Sequence, residues 1–328
     1  MKRVITIGAA VVDAILKSNS LKVVKGHDMP GGVAMCEMIG GKLEAQDGVL
    51  ATGGGGTNVG VGLMMLGHAV KVLVKVGDDN LAKMIEDELR SLGLDLSLVI
   101  RSQGRTGLSA VLVAPDGGRS IITYRGESGD IEPEEILWKD LERSDWLQIS
   151  SLGGKVSLLE DIVSYANSKN VGVGINPGRG ELNERERIIK LLPKVQYLVV
   201  NRMEAANLFD IDFNDEDSIA RAAASCGAGV VAITDGKRGA GIVAAKKWIR
   251  MKAYPNKSVD DTGAGDAFVA GSLSGLLNGE SVDIALKMGL ANGGSAVTEI
   301  GAKSGLLGKL EIQKWLKKDL REVEVEFN

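Results

Sequence analysis

Short runs rich in β-branched residues alternate along this chain with stretches whose apolar residues recur every three to four positions. Few architectures accommodate that order. Val4, Ile5 and Ile7 open the chain as a buried strand, and Val70 to Val76 read as another. Leu81, Ile85, Leu89 and Leu92 then line one face of a helix that Gly93 ends. The pattern resumes with strands at Trp146 to Ile149, Val171 to Ile175, Tyr197 to Val200 and Val230 to Thr234, with a helical stretch from Leu158 to Ser168 between the first two. Strands separated by helices must cross over, and crossovers are right-handed. The pattern therefore predicts an α/β fold with a doubly wound, mostly parallel sheet.

Two segments break the rhythm. Residues from about 14 to 52 show short apolar patches split by Gly and Pro, and residues 105–125 alternate around a turn at Pro115, Asp116, Gly117 and Gly118. Both are expected to form a small β-sheet lid over the carboxyl edge of the parallel strands, where open α/β sheets bind ligands. With no internal repeat, the whole of 1–328 reads as one domain carrying this lid.

Composition narrows the function. A net charge of −4 and the absence of a long Lys/Arg run argue against nucleic-acid binding. No apolar stretch reaches membrane-spanning length, and the opening residues lack a signal-peptide core, so a cytoplasmic location is expected. Cys36 and Cys226 fit reduced thiols, and His27 and His68 are too far apart for a metal cluster. Gly occurs 44 times, about twice the ordinary usage, and much of it flanks strand ends.

One such glycine cluster carries chemistry. Asp260, Asp261, Thr262, Gly263, Ala264, Gly265 and Asp266 precede an apolar helical pattern at Val269, Leu273, Leu276 and Leu277. A Gly-rich turn opening a helix aims backbone N–H groups and the positive end of the helix dipole at one point, which suits a phosphoryl group gaining charge. Asp266 at its mouth is either a general base for an attacking hydroxyl or a plain helix cap. Gly239, Gly241 and Ala244 fit a dinucleotide-turn spacing, but they sit within an apolar run that reads as a strand. No Gly-Lys-Ser/Thr phosphate loop is present.

The run from Asp260 to Asp266 resembles the C-terminal signature of the ribokinase-like (PfkB) carbohydrate kinases. That resemblance implies Asp266 as catalytic base and the backbone of Gly263, Ala264 and Gly265 as anion hole. Gly53 to Gly56, Thr57 and Asn58 resemble the family's N-terminal di-glycine motif, which implies substrate contacts from Gly54, Gly55 and Asn58. Asp13 fits the family position that holds sugar hydroxyls. Asn201 and Glu204 resemble an Asn-x-x-Glu motif that positions Mg²⁺, with Glu204 acting through water. Thr234 and Gly236 resemble a nucleotide contact, and Asn292 matches a position near the adenine. Asp260 with Ala296 and Gly301 resembles loops that hold K⁺, although Ser304 stands one place earlier than the corresponding serine of ribokinase.

The resemblance implies an ATP- and Mg²⁺-dependent phosphotransferase acting on a small sugar or sugar derivative, with homodimerisation through the lid. Tyr124 and Arg125 end a lid strand and are candidate contacts for the acceptor. A nucleoside acceptor is disfavoured by the 4% aromatic content. A non-catalytic sugar- or nucleotide-binding regulator on the same fold is the alternative of another class.

Overall fold

In the computed structural model the alternating runs assemble into one nine-stranded sheet. Its order is Glu322–Glu326, Lys247–Met251, Ala240–Ala244, Val230–Thr234, Tyr197–Asn201, Gly172–Ile175, Trp146–Ile149, Arg3–Ile7 and Ala69–Leu73. All residues are described except 26–32, 37–40, 116–118, 319, 321 and 328; His27 and most of the turn expected after Pro115 therefore lie outside the described residues. From Val230–Thr234 to Ala69–Leu73 every pairing is parallel. The remaining three strands add antiparallel at one edge. Ala240–Ala244 is among them, so Gly241 and Ala244 of the dinucleotide-like spacing lie in a strand and Gly239 directly precedes it.

Strand residues alternate between two cores, as buried parallel strands require. Val4, Val70, Val72, Tyr197 and Val199 face one layer, which includes the helices Gly55–Met65, Asn80–Ser91, Ala264–Leu277 and Val282–Ala296. Ile5, Ile7, Leu147, Ile149, Val173 and Leu198 face the other, covered by Val156–Ser168, Arg202–Phe209 and Glu216–Ser225. The long strand expected over Val70 to Val76 divides. Pairing with Arg3–Ile7 stops at Leu73, and Lys75–Val76 turns instead to Ile100–Arg101.

The lid is a separate four-stranded sheet in the order Arg119–Tyr124, Gly107–Val113, Val11–Lys17 and Asp47–Gly53. It begins three residues earlier than expected, so Asp13 stands within a lid strand rather than in a turn. Lys22–Lys25 and Val33–Cys36, from the same segment, pair only with each other. Register fixes the faces: Asp13 lies opposite Ala51 and Ser109, and Ser109 opposite Thr123. Ile15, Val111, Ile121 and Arg119 share that face. Tyr124 pairs with Leu108, and Leu108 with Val12, which places it on the other face.

Candidate active site

The carboxyl ends of the parallel strands and the starts of two helices converge on one point. Gly54, with φ 98°, turns the chain out of the lid strand into Gly55–Met65, and a Cβ there would sit 2.3 Å from the Ala9 carbonyl oxygen. Only glycine makes that turn. Asn58, in the first turn, is buried and donates from Nδ2 to Asp266 Oδ2 at 2.8 Å, across 208 residues of sequence. Its Oδ1 has no partner. Gly53 and Gly55 keep the backbone low beneath the carboxylates: an added Cβ would lie 2.6 Å from Asp13 Oδ2 and 3.5 Å from Asp266 Oδ1, respectively. Asp13, Asn58 and Asp266 are therefore grouped around one glycine-floored pocket.

On the far side of Asp266 the helix Ala264–Leu277 begins. Gly263, its N-cap, has φ 76°, and a Cβ there would meet that of Ala302 at 2.4 Å. Gly265 differs, because nothing lies within 4 Å of where its Cβ would be. It opens instead on a cavity of about 880 Å³ lined by Thr234, Gly236, Tyr254, Ala264, Gly265 and Phe268, among others. The helix start thus lies between that cavity and the polar cluster of Asp13, Asn58 and Asp266, with the N–H groups of its first turn at the junction.

Burial pushes the carboxyls of both Asp13 and Asp266 above the usual aspartate range. Ser109 and Lys303 partly oppose the shift at Asp13, Asn58 and Lys303 that at Asp266. Glu204 is also raised by burial. It forms a reciprocal cap with Asn201, whose Oδ1 accepts from the Glu204 N–H at 2.9 Å while Glu204 Oε2 accepts from the Asn201 N–H at 2.8 Å. Asn201 and Thr234 are register partners on adjacent strands, so both sit at the same sheet edge.

Three expectations need correction. Asn292 is wholly buried and spends its side chain on the backbone: Nδ2 donates to the Ala267 carbonyl at 2.8 Å and Oδ1 accepts from the Leu307 N–H at 2.9 Å. Helical geometry turns it away from the cavity, which Gly289, Leu290, Gly293 and Gly294 line instead. Tyr124 is half exposed on the lid face opposite Asp13, and Arg125 beyond it is exposed at the start of a short 3₁₀ turn. Strand alternation excludes Tyr124 from the face that Arg119 and Thr123 occupy. Finally, Asp260 is already engaged by protein donors. Its Oδ1 accepts from the Thr262 N–H, the Thr262 hydroxyl and Arg119 Nη1, and its Oδ2 accepts from the Gly301 N–H at 2.9 Å. Burial alone would raise this carboxyl, but those donors hold it below its ordinary value. Ala296 is the buried last residue of its helix, and its carbonyl accepts from the Glu299 N–H.

The structure adds two residues that no sequence pattern marked. Ser150, buried just past the strand Trp146–Ile149, has an unpartnered hydroxyl, 2.7 Å from where a Gly55 Cβ would be. Lys303 is buried against Thr52 at the pocket floor.

Comparison with known proteins agrees with this geometry. The pfkB family carbohydrate kinase profile matches residues 1–307. A ribokinase of Bacillus subtilis is 26% identical over 96% of this chain and 100% of its own length. An uncharacterized sugar kinase of Archaeoglobus fulgidus is 28% identical over 75% of this chain and 98% of its own. Among solved structures, an adenosine kinase from Sinorhizobium meliloti superposes with a TM-score of 0.79 at 22% identity, covering 95% of this chain and 99% of that one. A family match spanning almost the entire chain, on a fold whose strand ends hold the cavity and pocket described above, leads to one assignment: the chain belongs to the pfkB family of carbohydrate kinases.

Proposed function

We propose that this ATP-dependent carbohydrate kinase, acting as one unit over 1–328, phosphorylates a hydroxyl of a small sugar or sugar derivative through Asp266. The observation that carries this reading is the place of Asp266 between the pocket of Asp13 and Asn58 and the cavity below Gly265. In the pocket, Asp13 and the free Asn58 Oδ1 accept from acceptor hydroxyls, and the unpartnered Ser150 hydroxyl is available to another. In the cavity, Thr234 and Gly236 contact the nucleotide and the flat helix face at Gly289 and Gly293 leaves room for its base. The attacking oxygen bonds to the γ-phosphorus as its proton passes to an Asp266 oxygen. The bond from that phosphorus to the β–γ bridging oxygen breaks, and ADP departs. The N–H groups at Gly263, Ala264 and Gly265 face the charge that builds on the transferring group.

Mg²⁺ fits the edge occupied by Asn201 and Glu204, because a half-buried carboxylate without a cationic partner is a suitable oxygen donor, directly or through water. Bound there, it would neutralise phosphate charge. Among the described residues no cluster of three His, Cys, Asp or Glu side chains forms a dedicated metal cage; Mg²⁺ characteristically keeps water and phosphate ligands. Beside Asp260 the Arg119 guanidinium already supplies the positive charge that a monovalent cation would bring, with three donors on Oδ1 and one on Oδ2. Turnover is accordingly expected to be equal, within about twofold, in KCl and NaCl at matched ionic strength. Strong dependence on K⁺ would show that Arg119 yields its place.

The acceptor-facing side of the lid, with Val11, Asp13, Ile15, Ser109, Val111, Ile121 and Thr123, carries no aromatic ring, which favours a sugar over a nucleobase. Coupled ADP release with MgATP against ribose, deoxyribose, ribose 1-phosphate, fructose 6-phosphate, 2-keto-3-deoxygluconate and adenosine tests this. Turnover of a sugar is expected; turnover of adenosine alone would reverse the acceptor class, and ligand binding without turnover would favour a regulator. The opposite lid face exposes Leu16, Leu50, Leu108, Ile122 and Tyr124 together, an apolar surface suited to a second copy's lid in a homodimer. No helix among the described residues is long and apolar enough to cross a membrane, and we assign the enzyme to the cytoplasm.

A further inference from the structure

Lys303 is a charged residue buried where charge is costly, and the transfer mechanism above makes no use of it. It follows the helix Val282–Ala296 in a loop and is 9% exposed. Its ammonium donates to the Thr52 carbonyl at 3.1 Å, to the Thr52 hydroxyl, and to Glu88 Oε2 at 3.0 Å. The Thr52 hydroxyl in turn bonds Glu88. Three parts of the molecule meet there: a lid strand, the helix Asn80–Ser91 and the loop after the last helix of the site. Its partner Glu88 is about a third exposed, so the desolvation cost falls mainly on the ammonium and offsets much of the attraction.

The position of Thr52 suggests what the charge does. It directly precedes Gly53 to Gly55, the backbone against which the carboxylates of Asp13 and Asp266 rest. The ammonium is paired with Glu88 and acts through space on Asp13 and Asp266, whose carboxylates lie against the backbone that follows Thr52. The nearby Arg119 is already paired with Asp260, while Asn58 contributes to Asp266 only a neutral donor. We propose that Lys303 is the internal counter-charge of the acceptor pocket, a positioning residue that keeps Asp266 and Asp13 ionised, with Glu88 and Thr52 holding its ammonium in place.

The electrostatics agree in sign. Burial raises both aspartates and lowers Lys303, while Lys303 lowers both aspartates and each of them, with Glu88, raises Lys303. Asp266 is bonded to Asn58 from the glycine-led helix, with Asp13 across the Gly53 to Gly55 backbone, Glu88 beyond the ammonium on Asn80–Ser91, and Lys303 acting on it from the final loop. Only the last of these is a cation.

This inference rests on Asp266 acting as base, so its test includes a readout that needs no acceptor. The Asp266 carboxyl is followed by ¹³C NMR of Asp-labelled protein, its signal assigned by its loss in Asp266→Asn. In Lys303→Met, which keeps length and removes charge, Asp266 is expected to titrate about one unit or more higher than in the parent. In parallel, the acid limb of kcat/KM should move the same way, with about tenfold loss near that limb, recovery at higher pH, and most activity retained in Lys303→Arg. An unmoved Asp266 titration, or a pH-independent loss of kcat/KM, would overturn the proposal. If Lys303→Met does not fold, Lys303→Gln decides: its amide can still donate to the Thr52 carbonyl but carries no charge, and Asp266 must then titrate higher than in the parent. A shifted titration in a protein whose Asp266→Asn variant stays fully active would instead reject Asp266 as base and leave the Lys303 pairing intact.

Discussion

Asparagine at position 266 is expected to lower kcat by about 10²–10⁴-fold while leaving the melting temperature and both substrate affinities nearly unchanged. The amide matches the carboxylate in size, and its oxygen still accepts from Asn58 Nδ2, the 2.8 Å bond that orients the side chain. What it lacks is an oxygen that can take a proton. Steady-state ADP release, with calorimetric titration of each substrate, separates these terms. A variant with full turnover would return Asp266 to the role of helix cap and leave the transfer without its proton acceptor. Loss of binding with unchanged kcat would assign it to holding the sugar.

Valine at position 265 should be nearly as damaging for a different reason. A Cβ there meets nothing within 4 Å, so the protein tolerates the added bulk and only the cavity is filled. The helix cost of replacing Gly is small or favourable, so stability should hold within about 1 kcal/mol. The transferring phosphate, however, must approach the N–H groups that the side chain now covers. Loss of such donors typically costs about 10²–10³-fold in rate, and a fall of that size in kcat/KM for MgATP is expected, with acceptor binding preserved. Gly263 does not allow so clean an experiment. Its left-handed φ of 76° and the 2.4 Å approach to Ala302 make any side chain there a fault of folding before one of catalysis.

The main sheet was legible because parallel strands buried on both faces must be apolar at nearly every position, and Trp146–Ile149 and Val230–Thr234 begin and end where their sequences suggested. The antiparallel edge was harder. In Glu322–Glu326 the acidic residues alternate with only two valines at the end of the chain, too short a pattern to separate from a solvated tail. In the site, glycine turns with a following helix announced themselves, since backbone geometry at Gly54 and Gly263 restricts the residue type. Side chains that act by facing were less readable. Tyr124 and Arg119 belong to one strand, and only its register shows that Arg119, not Tyr124, shares the face of Asp13. Lys303 and Ser150 are single residues whose meaning depends on neighbours far away in sequence, Thr52 and Gly55, and no local pattern carries that.

The bond from Arg119 to Asp260 links two objects usually considered apart. Arg119 belongs to the lid, while Asp260, through Thr262 and Gly301, braces the loop that leads into the N–H groups at Gly263 to Gly265. Lifting the lid's outer strand must therefore strip a guanidinium from that brace. The loop that leads into the phosphate cradle is therefore braced from two parts of the fold at once, by its own Thr262 and Gly301 and by a guanidinium from the cover.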